Sequence, residues 1–373
     1  MNLTLFFTRN VSLNTWDRIG SIDREVELYR KFYDRGITVS FVTYGTRKDR
    51  GYAPHIPGIK ICCNWLNLPL KLYELLLPLI HAGALQKTDI VKSNQTNGAD
   101  TALRAAAVWK KPFIARCGFV WSSNMIRKYG EGSEQAAHAL AVEQKVFPRA
   151  ARIVVTTPLM KADIEKRVPA AADKTVIIPN HVSTDRFAPI TGEKIFDIIF
   201  VGRLSPEKNI PAFISAAGAL GIKVLIVGQG PLKQSLHEQY GTLDGKLQWK
   251  DRVANHELPE LINQAKAFIL PSLFEGHPKT LIEAMACGMP VIGADSPGIR
   301  EIIGNEENGL LCGTDTESIR HAVAKLLKSP ELQQNLGSNA RDFVKENYSL
   351  ERIVAKEVSL LTHCLKQGTA AGT

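Results

Sequence analysis

Residues 274–293 read Phe-Glu-Gly-His-Pro-Lys-Thr-Leu-Ile-Glu-Ala-Met-Ala-Cys-Gly-Met-Pro-Val-Ile-Gly and carry the strongest structural signal in the chain. The apolar run 267–270 just before them predicts a strand, and a helix is expected to begin near Lys279. Gly288 followed by Pro290 is a helix stop signal, and the Val-Ile-Gly that comes next predicts another strand. The segment is therefore expected to fold as strand, loop, helix and strand.

Two carboxylates, Glu275 and Glu283, fall in this segment, the first on the loop and the second about one turn inside the helix. A helix N-terminus that faces a loop favours an anion, because its first backbone N–H groups lack partners within the helix. The carboxylates cannot bind a phosphate, but they can accept hydrogen bonds from sugar hydroxyls beside it. The combination predicts a pocket for a nucleotide sugar.

Composition narrows the class of protein. The chain has 373 residues, of which 45% are hydrophobic and 22% are charged, and this is typical of a soluble globular protein with two domains. The formal net charge of +9 favours anionic partners, but the basic residues form no long run, so nucleic acid is not an expected partner. Six cysteines without metal-ligand spacing favour reduced thiols, and with no signal peptide recognised we predict a cytoplasmic location.

The most apolar stretch, residues 66–85, is interrupted by Lys71, Glu74 and His81 and contains two prolines. Charges and prolines at this density argue against a membrane span, so we predict a buried or interfacial helix. A basic surface beside an interfacial helix would bind an acidic bilayer reversibly. Weak peripheral association with the cytoplasmic face of the membrane is therefore a hypothesis beside the simpler expectation of a buried helix.

Strands and helices alternate along both halves of the chain. Strands are predicted in the first half at 3–7, 37–42, 89–92, 112–116, 152–156 and 175–180, and in the second half at 197–202, 223–228, 267–270 and 290–293. Such alternation builds a parallel sheet with helices on both faces. The predicted fold class is thus α/β, with two doubly wound, Rossmann-like domains facing a central cleft. We predict a first domain at 1–185, a second at 186–344, and a C-terminal helix at about 345–373 that packs back on the first domain.

Arg203 and Lys208 lie on the loop that follows the first strand of the second half. Open α/β sheets bind ligands at the carboxyl ends of their strands. Two cations there could neutralise the charge that grows on a diphosphate as it leaves a sugar. The sequence has no Asp-x-Asp pair at a strand end, so we expect a reaction without a metal site and without a cofactor.

Gly228 and Gly230 supply only the first two glycines of a dinucleotide-binding fingerprint, and Pro231 is typical of a helix start. We interpret the segment as a tight turn between a strand and a helix. An oxidoreductase is therefore disfavoured.

The ordered set of motifs resembles the family 4 glycosyltransferases, which have the GT-B fold, and the resemblance covers nearly the whole chain. The matching motifs are Ile-Pro-Asn-His-Val-Ser-Thr-Asp-Arg-Phe at 178–187, Phe-Val-Gly-Arg-Leu-Ser-Pro-Glu-Lys-Asn at 200–209, Val-Gly-Gln-Gly-Pro-Leu at 227–232, residues 275–293, and Pro-Gly-Ile-Arg-Glu at 297–301. The first domain matches more loosely, through residues 20–25.

The resemblance implies a retaining, metal-independent transfer of a sugar from a nucleotide sugar, with UDP as the preferred nucleotide. The acceptor would be a glycan, a lipid-linked molecule or a small molecule, in polysaccharide or glycoconjugate biosynthesis. Arg203 and Lys208 would contact the diphosphate, and with Glu275, which would bind hydroxyls of the donor sugar, they form the predicted catalytic set. Glu283 would bind the ribose.

The resemblance also assigns further positions to the donor. Backbone amides of the first helical turn would contact phosphate or sugar, Val253 would lie beside the base, and Gly20 would let the first domain approach the phosphate. The complete set of these additional positions is Gly20, Gly202, Val253, Gly276, His277, Pro278, Lys279, Thr280 and Leu281.

One position departs from the family. Cys117 stands where many members carry a histidine that contacts the donor sugar, and Arg116 is the neighbour that could replace it. This departure keeps two other functions open: a non-catalytic nucleotide-sugar-binding subunit, and a nucleotide-sugar epimerase or hydrolase on the same fold. The oligomeric state is left open.

Overall fold

The computed structural model describes residues 1–370, with side chains for residues 1–367. The chain divides into two compact units, which we call the first and second units. The first comprises Met1–Pro179 and the C-terminal segment from Ile353, and the second comprises Asn180–Arg352. From the sequence we placed these two boundaries after residue 185 and near residue 345.

The first unit is built on a parallel sheet of seven strands in the order β3-β2-β1-β4-β5-β6-β7. The strands are Asn2–Phe6 (β1), Thr38–Val42 (β2), Ile59–Cys62 (β3), Ile90–Ser93 (β4), Phe113–Cys117 (β5), Arg152–Val155 (β6) and Thr175–Ile177 (β7). The helices are Leu13–Arg18 (α1), Ile22–Tyr33 (α2), Leu70–Ile80 (α3), Ala82–Leu85 (α4), Ala99–Val108 (α5), Trp121–Tyr129 (α6), Glu134–Val146 (α7) and Pro158–Arg167 (α8).

The second unit contains a parallel sheet of six strands in the order β10-β9-β8-β11-β12-β13. The strands are Phe196–Val201 (β8), Val224–Val227 (β9), Leu247–Lys250 (β10), Ala265–Leu270 (β11), Val291–Ala294 (β12) and Leu310–Cys312 (β13). The helices are Ile210–Leu220 (α9), Lys233–Tyr240 (α10), Leu258–Asn263 (α11), Lys279–Ala286 (α12), Thr316–Leu327 (α13) and Pro330–Tyr348 (α14), and the chain continues into Leu350–Ala370 (α15).

Both sheets reverse their strand order once, between β1 and β4 and between β8 and β11. At such a switch point the connecting loops diverge and leave a crevice at the carboxyl ends of the two strands. The central strands are buried on both sides, and three consecutive residues of β8, Ile198 to Phe200, are fully buried. The predicted doubly wound α/β class is confirmed for both units.

Three strands and the first helix were not predicted from the sequence. The missed strands β3, β10 and β13 lie at sheet edges and are three or four residues long. In β10 only Leu247 is buried, so the run gives no apolar signal. Helix α1 is also short, with six residues, and we assigned no element to it from the sequence.

We predicted a C-terminal helix at about 345–373, and the structure interrupts this segment at Ser349, where α14 ends and α15 begins. Val182 forms a parallel bridge with Ser349, accepts a hydrogen bond from the N–H of Leu350 at 2.9 Å, and donates one to the carbonyl of Tyr348 at 2.9 Å. These backbone groups cannot also complete a helical turn, so the helix is interrupted. Residues 371–373, the end of the predicted helix, lie outside the described residues.

Helix α15 is held within the first unit by a buried ion pair. The Nζ of Lys92, on β4, lies 2.6 Å from both carboxylate oxygens of Glu357, and both side chains are almost fully buried. Burial lowers the pKa of Lys92, while the Glu357 carboxylate opposes this effect. Within residues 1–370, no helix combines the length and the apolar character that a membrane span requires.

Candidate active site

The switch point of the second unit brings two distant loops together. Strands β8 and β11 pair in parallel, with Ile198 opposite Ala267 and Ile199 opposite Phe268, so both strands end at the same edge of the sheet. The backbone N–H of Leu273, after β11, donates to the carbonyl of Glu207, after β8, at 2.8 Å. The loop that carries Lys208 and the loop that carries Glu275 are therefore adjacent.

Lys208 and Glu275 form an ion pair across this edge. Their side chains are 16% and 12% exposed, so the pair is shielded from most of the solvent and still reaches it. Lys208 ends a short 3-10 turn, and Asn209 then adopts a left-handed conformation (φ +52°) from which α9 begins. The pair offers one cation and one carboxylate to a ligand bound at the crevice.

Arg203, the other predicted cation, lies exposed on the same loop. Among the described residues its side chain makes no ion pair or hydrogen bond, so the structure does not join it to the Lys208–Glu275 pair. There is no space for a side chain at Gly202, just before Arg203, because a Cβ at this position would lie 2.9 Å from the ring of Phe200.

Two glycines let the loop after β9 pack directly against the loop after β8. A Cβ on Gly228, which has φ +154°, would lie 1.9 Å from the carbonyl oxygen of Gly202, and one on Gly230 would lie 2.2 Å from that of Leu204. Leu204 is also hydrogen-bonded to the same loop, since its N–H donates to the carbonyl of Gln229 at 3.0 Å. The Gly-x-Gly motif is thus a tight, backbone-packed turn, as predicted from the sequence.

A third close approach supports Glu275. The N–H of Glu275 donates to the carbonyl of Pro297 at 2.9 Å. A Cβ on Gly298, which has φ +82°, would lie 2.5 Å from the carbonyl oxygens of Glu275 and Gly276. The segment 297–301, which is one of the matched sequence motifs, therefore packs directly against the backbone of the Glu275 loop.

Glu283 lies on α12 and is 1% exposed. One carboxylate oxygen accepts a hydrogen bond from the Nδ2 of Asn255 at 2.9 Å, and the Oδ1 of Asn255 accepts one from Arg186 at 3.3 Å. We did not predict Asn255 or Arg186 as site residues. Arg186 falls within the 178–187 motif, whereas Asn255 follows the unpredicted strand β10 and carries no sequence signal.

The start of α12 agrees with the prediction. Pro278 precedes the helix, which begins at Lys279, and Ile282 is the first residue whose N–H bonds back to the carbonyl of Pro278, at 3.4 Å. The N–H groups of residues 279–281, which include Thr280 and the buried Leu281, therefore have no partner one turn earlier in the helix.

His277 is buried, and its ring packs edge-on against Tyr348 at the end of α14, with 4.8 Å between the ring centroids. Its carbonyl accepts a hydrogen bond from the side chain of Asn180 at 2.8 Å. The ring packs in the interior of the second unit, which indicates a supporting role for this side chain. Val253, on the loop after β10, is half-buried against the apolar core of the same unit.

Gly20, Arg116 and Cys117 belong to the first unit. Gly20 has φ +66° in the turn between α1 and α2. The thiol of Cys117, at the end of β5, is fully buried and donates to the carbonyl of Phe119 at 3.1 Å, and burial raises its pKa to about 12. It is therefore a neutral thiol at physiological pH. Arg116 is half-buried and donates to the carbonyl of Asn94 at 3.3 Å.

In residues 1–370 no group of three or more histidine, cysteine, aspartate or glutamate side chains could hold a metal ion. Two doubly wound units with parallel sheets in one chain are the architecture of the GT-B fold, and solved structures with this fold superpose on nearly the whole chain.

Family comparisons agree with this class. Residues 26–186 match the family described as Glycosyltransferase Family 4, and residues 182–343 match the family described as Glycosyl transferases group 1. The chain therefore belongs to the family 4 glycosyltransferases, and the resemblance predicted from its motifs is confirmed.

Among curated relatives, the chain is 35% identical to N-acetyl-alpha-D-glucosaminyl L-malate synthase of Bacillus anthracis, over 39% of each chain. It is 28% identical to UDP-Gal:alpha-D-GlcNAc-diphosphoundecaprenol alpha-1,3-galactosyltransferase of Escherichia coli, over 49% of this chain and 52% of that protein. The matched segment thus spans about two fifths to one half of the length of these relatives.

Among solved structures, the protein HepE of Anabaena in complex with UDP-glucose superposes with a TM-score of 0.76. The superposition covers 97% of this chain and 99% of HepE, at 16% sequence identity. At this identity the likeness establishes the fold alone.

Proposed function

We propose that the protein is a retaining glycosyltransferase that moves a sugar from a nucleotide sugar to an acceptor in polysaccharide or glycoconjugate biosynthesis. The observation that carries this proposal is the Lys208–Glu275 pair at the switch point of the second unit, in a chain that belongs to this family. The bond from the sugar's anomeric carbon to the diphosphate breaks, and a bond from the same carbon to an acceptor oxygen forms. The nucleoside diphosphate leaves, and the proton of the acceptor hydroxyl passes to this leaving group or to water.

Lys208 would stabilise the negative charge that grows on the departing diphosphate. Its ammonium is already desolvated in part and held by Glu275, so little reorganisation is needed when the charge appears. Arg203, exposed on the same loop, is free to turn toward the same phosphates. The N–H groups of residues 279–281 at the start of α12 would add backbone donors to the anion.

Glu275 would accept hydrogen bonds from donor-sugar hydroxyls, and Glu283 from the ribose. Glu283 is oriented by the 2.9 Å hydrogen bond from Asn255, which fixes one of its oxygens. Asn255 in turn accepts from Arg186, so the ribose-binding carboxylate would be held by a short polar chain.

UDP is the nucleotide that we propose, and two relatives support it. The Escherichia coli relative is named for UDP-Gal, and HepE was solved with UDP-glucose. For the acceptor, the names of the relatives include L-malate and a diphosphoundecaprenol-linked sugar, which represent a small molecule and a lipid-linked molecule.

A thermal-shift screen of nucleotide sugars tests the donor. A ligand that binds the folded protein raises its melting temperature by mass action, by about 2.7 kcal/mol of stability at one hundred times its dissociation constant. We expect UDP-glucose, UDP-galactose or UDP-N-acetylglucosamine to raise it, and GDP-mannose to have less effect. A panel in which no UDP compound raises the melting temperature would contradict the proposed donor.

The release of UDP then separates transfer from the two other functions. Transfer predicts UDP release that depends on an acceptor, tested with L-malate and with a polyprenyl-diphosphate-linked N-acetylglucosamine. Rapid release of free sugar or of an epimer without acceptor would indicate a hydrolase or epimerase, and binding without turnover would indicate a non-catalytic subunit. We expect acceptor-dependent release to persist in EDTA, and complete loss restored by Mg²⁺ would contradict the metal-independent mechanism.

A further inference from the structure

Helix α3 of the first unit exposes a row of leucines. Leu72, Leu75 and Leu79 recur at helical spacing and are 42%, 61% and 66% exposed, while Tyr73 and Leu77 on the opposite side are buried. The helix that we predicted to be buried or interfacial is therefore buried on one face only. Large apolar side chains that cluster on an exposed face mark an interaction surface.

The apolar surface continues into the segment that precedes α3. Trp65 and Leu66 are 45% and 46% exposed. Five large apolar side chains within fifteen residues of sequence thus face solvent in the part of the chain that the structure describes.

A cavity of about 960 Å³ lies beside these leucines, between α3, α5 and the C-terminal part of α7. Leu75 forms part of its wall. Its lining is strongly basic, with seven cations and only two carboxylates, Glu74 and Asp100.

Both carboxylates already pair with the side chain of Arg9. The remaining cations have no carboxylate partner within the described part of the chain. These six residues are Lys71, Arg104, Lys111, Lys145, Arg149 and Lys174. The cavity therefore has an uncompensated positive charge.

We propose that this surface, which we call the α3–α5 face, docks the protein on an anionic phospholipid bilayer. The leucines would enter the boundary between headgroups and acyl chains, and the cations would contact headgroup phosphates. Charge complementarity favours an anionic partner, and the exposed leucines favour a bilayer over a soluble anion, because a soluble anion would leave them in water. Docking through this face does not depend on the proposed transfer reaction, so the two proposals fail separately.

Sedimentation with lipid vesicles tests the proposal on the full chain. At 50 mM salt the protein is expected to bind vesicles of phosphatidylcholine with 30 mol% phosphatidylglycerol, and to bind phosphatidylcholine alone at least about tenfold more weakly. Binding should also fall steeply at 500 mM salt, because the surface charges are screened. Absence of binding to the anionic vesicles at low salt would overturn the proposal.

Charge-reversal variants test whether the α3–α5 face is the surface that binds the vesicles. The double variant K71E/K145E changes two exposed cations of the α3–α5 face and is expected to reduce partitioning at least about tenfold. The matched control K328E/K345E changes two exposed lysines of the second unit by the same net charge and should stay within about twofold of the wild type. Equal losses in both would indicate a general charge effect and would overturn the assignment to this face.

Leucine substitution separates a bilayer from a soluble anion. Leu75→Ser should reduce partitioning into the vesicles roughly fivefold or more, because a leucine side chain that enters the bilayer contributes apolar transfer free energy. Leu159→Ser, on α8 and 50% exposed, should have no effect. If Leu75→Ser binds like the wild type and 50 mM inorganic phosphate abolishes binding, the cavity is an anion site and the bilayer proposal is wrong. Melting curves of all variants check that each is folded.

Discussion

The switch points of the two units share a topology and differ in their chemistry. In each unit a cation follows the strand that comes first along the chain: Arg9 follows β1, and Lys208 follows β8. Arg9 is bonded to Glu74, on α3, at 2.7 Å and to Asp100, on α5, at 3.1 Å. Lys208 instead pairs with Glu275, which comes from the loop after the neighbouring strand.

The difference shows what topology decides and what it leaves to side chains. In the first unit, two helical carboxylates pair with one guanidinium, so the cation ties α3 and α5 together. In the second unit, the cation pairs with a single carboxylate on a loop, and we propose that this pair exchanges partners with a ligand. Strand order fixes where a crevice forms, and the residues around it decide what it binds.

The largest expected effect comes from removing each cation in turn. Lys208→Ala should lower the rate of UDP release roughly 10²–10³-fold, because the proposed contact to the charge of the leaving group is lost. Arg9→Ala should lower the melting temperature, at a cost of about 1–3 kcal/mol, because two partly buried carboxylates lose their partner. Its affinity for UDP should stay unchanged.

Steady-state kinetics with the donor found in the screen, isothermal titration with UDP and thermal melts measure these quantities. Wild-type turnover in Lys208→Ala would remove the assignment of this residue. If Arg9→Ala loses as much affinity for UDP as Lys208→Ala does, the contrast between the two switch points would be removed.

Glycine substitution tests the packing that shapes the second crevice. Gly228→Ala should destabilise the protein by at least about 2 kcal/mol, because its Cβ would overlap the carbonyl oxygen of Gly202. Gly36, in the first unit, has φ +71° and open space around it, so Gly36→Ala should carry only the cost of the left-handed backbone, about 1 kcal/mol. Urea unfolding of both variants measures the difference, and equal destabilisation would show that the close approach contributes nothing.

The two carboxylates of the second unit should separate in a binding experiment. Glu283→Ala is expected to weaken UDP binding about tenfold, since the buried carboxylate that we propose to bind the ribose is lost. Glu275→Ala should leave the dissociation constant of UDP within about twofold and lower turnover instead, because free UDP lacks the transferred sugar whose hydroxyls Glu275 is proposed to bind. Glu238→Ala, an exposed position on α10, controls for the loss of one negative charge. Equal losses of UDP affinity in the first two variants would contradict this division of roles.

The smallest effect is expected at Cys117. Burial raises the pKa of its thiol to about 12, so it is protonated at pH 8 and its hydrogen bond goes to the carbonyl of Phe119. Cys117→Ala should therefore change turnover less than about twofold, and iodoacetamide should not inactivate the native enzyme at this pH. A large loss of turnover with an unchanged melting temperature would show that this thiol contacts the substrate.

The fold class was predictable because fully buried parallel strands leave continuous apolar runs such as that of β8, which local sequence reveals. The edge strands were not, because a strand with one buried residue, as in β10, has no such pattern. The break at Ser349 was also hidden, since it depends on pairing with Val182, a residue far away in the sequence.

The candidate site was predictable where its residues share one short segment. Glu275, Glu283 and the start of α12 follow from residues 274–293, because the order of strand, loop and helix fixes their relative positions. Asn255 was missed, since its contact with Glu283 at 2.9 Å joins two elements that are separated along the chain.

By itself, the sequence determined two doubly wound α/β domains, the family of the chain and the residue types at the second switch point, because buried strands, helix stop signals and ordered motifs are local properties. Only the tertiary structure decided that Lys208 pairs with Glu275, that Asn255 holds Glu283, and that the leucines of α3 border a basic cavity. These relations arise from strands and helices that are adjacent in space and distant along the chain, and local patterns do not encode them.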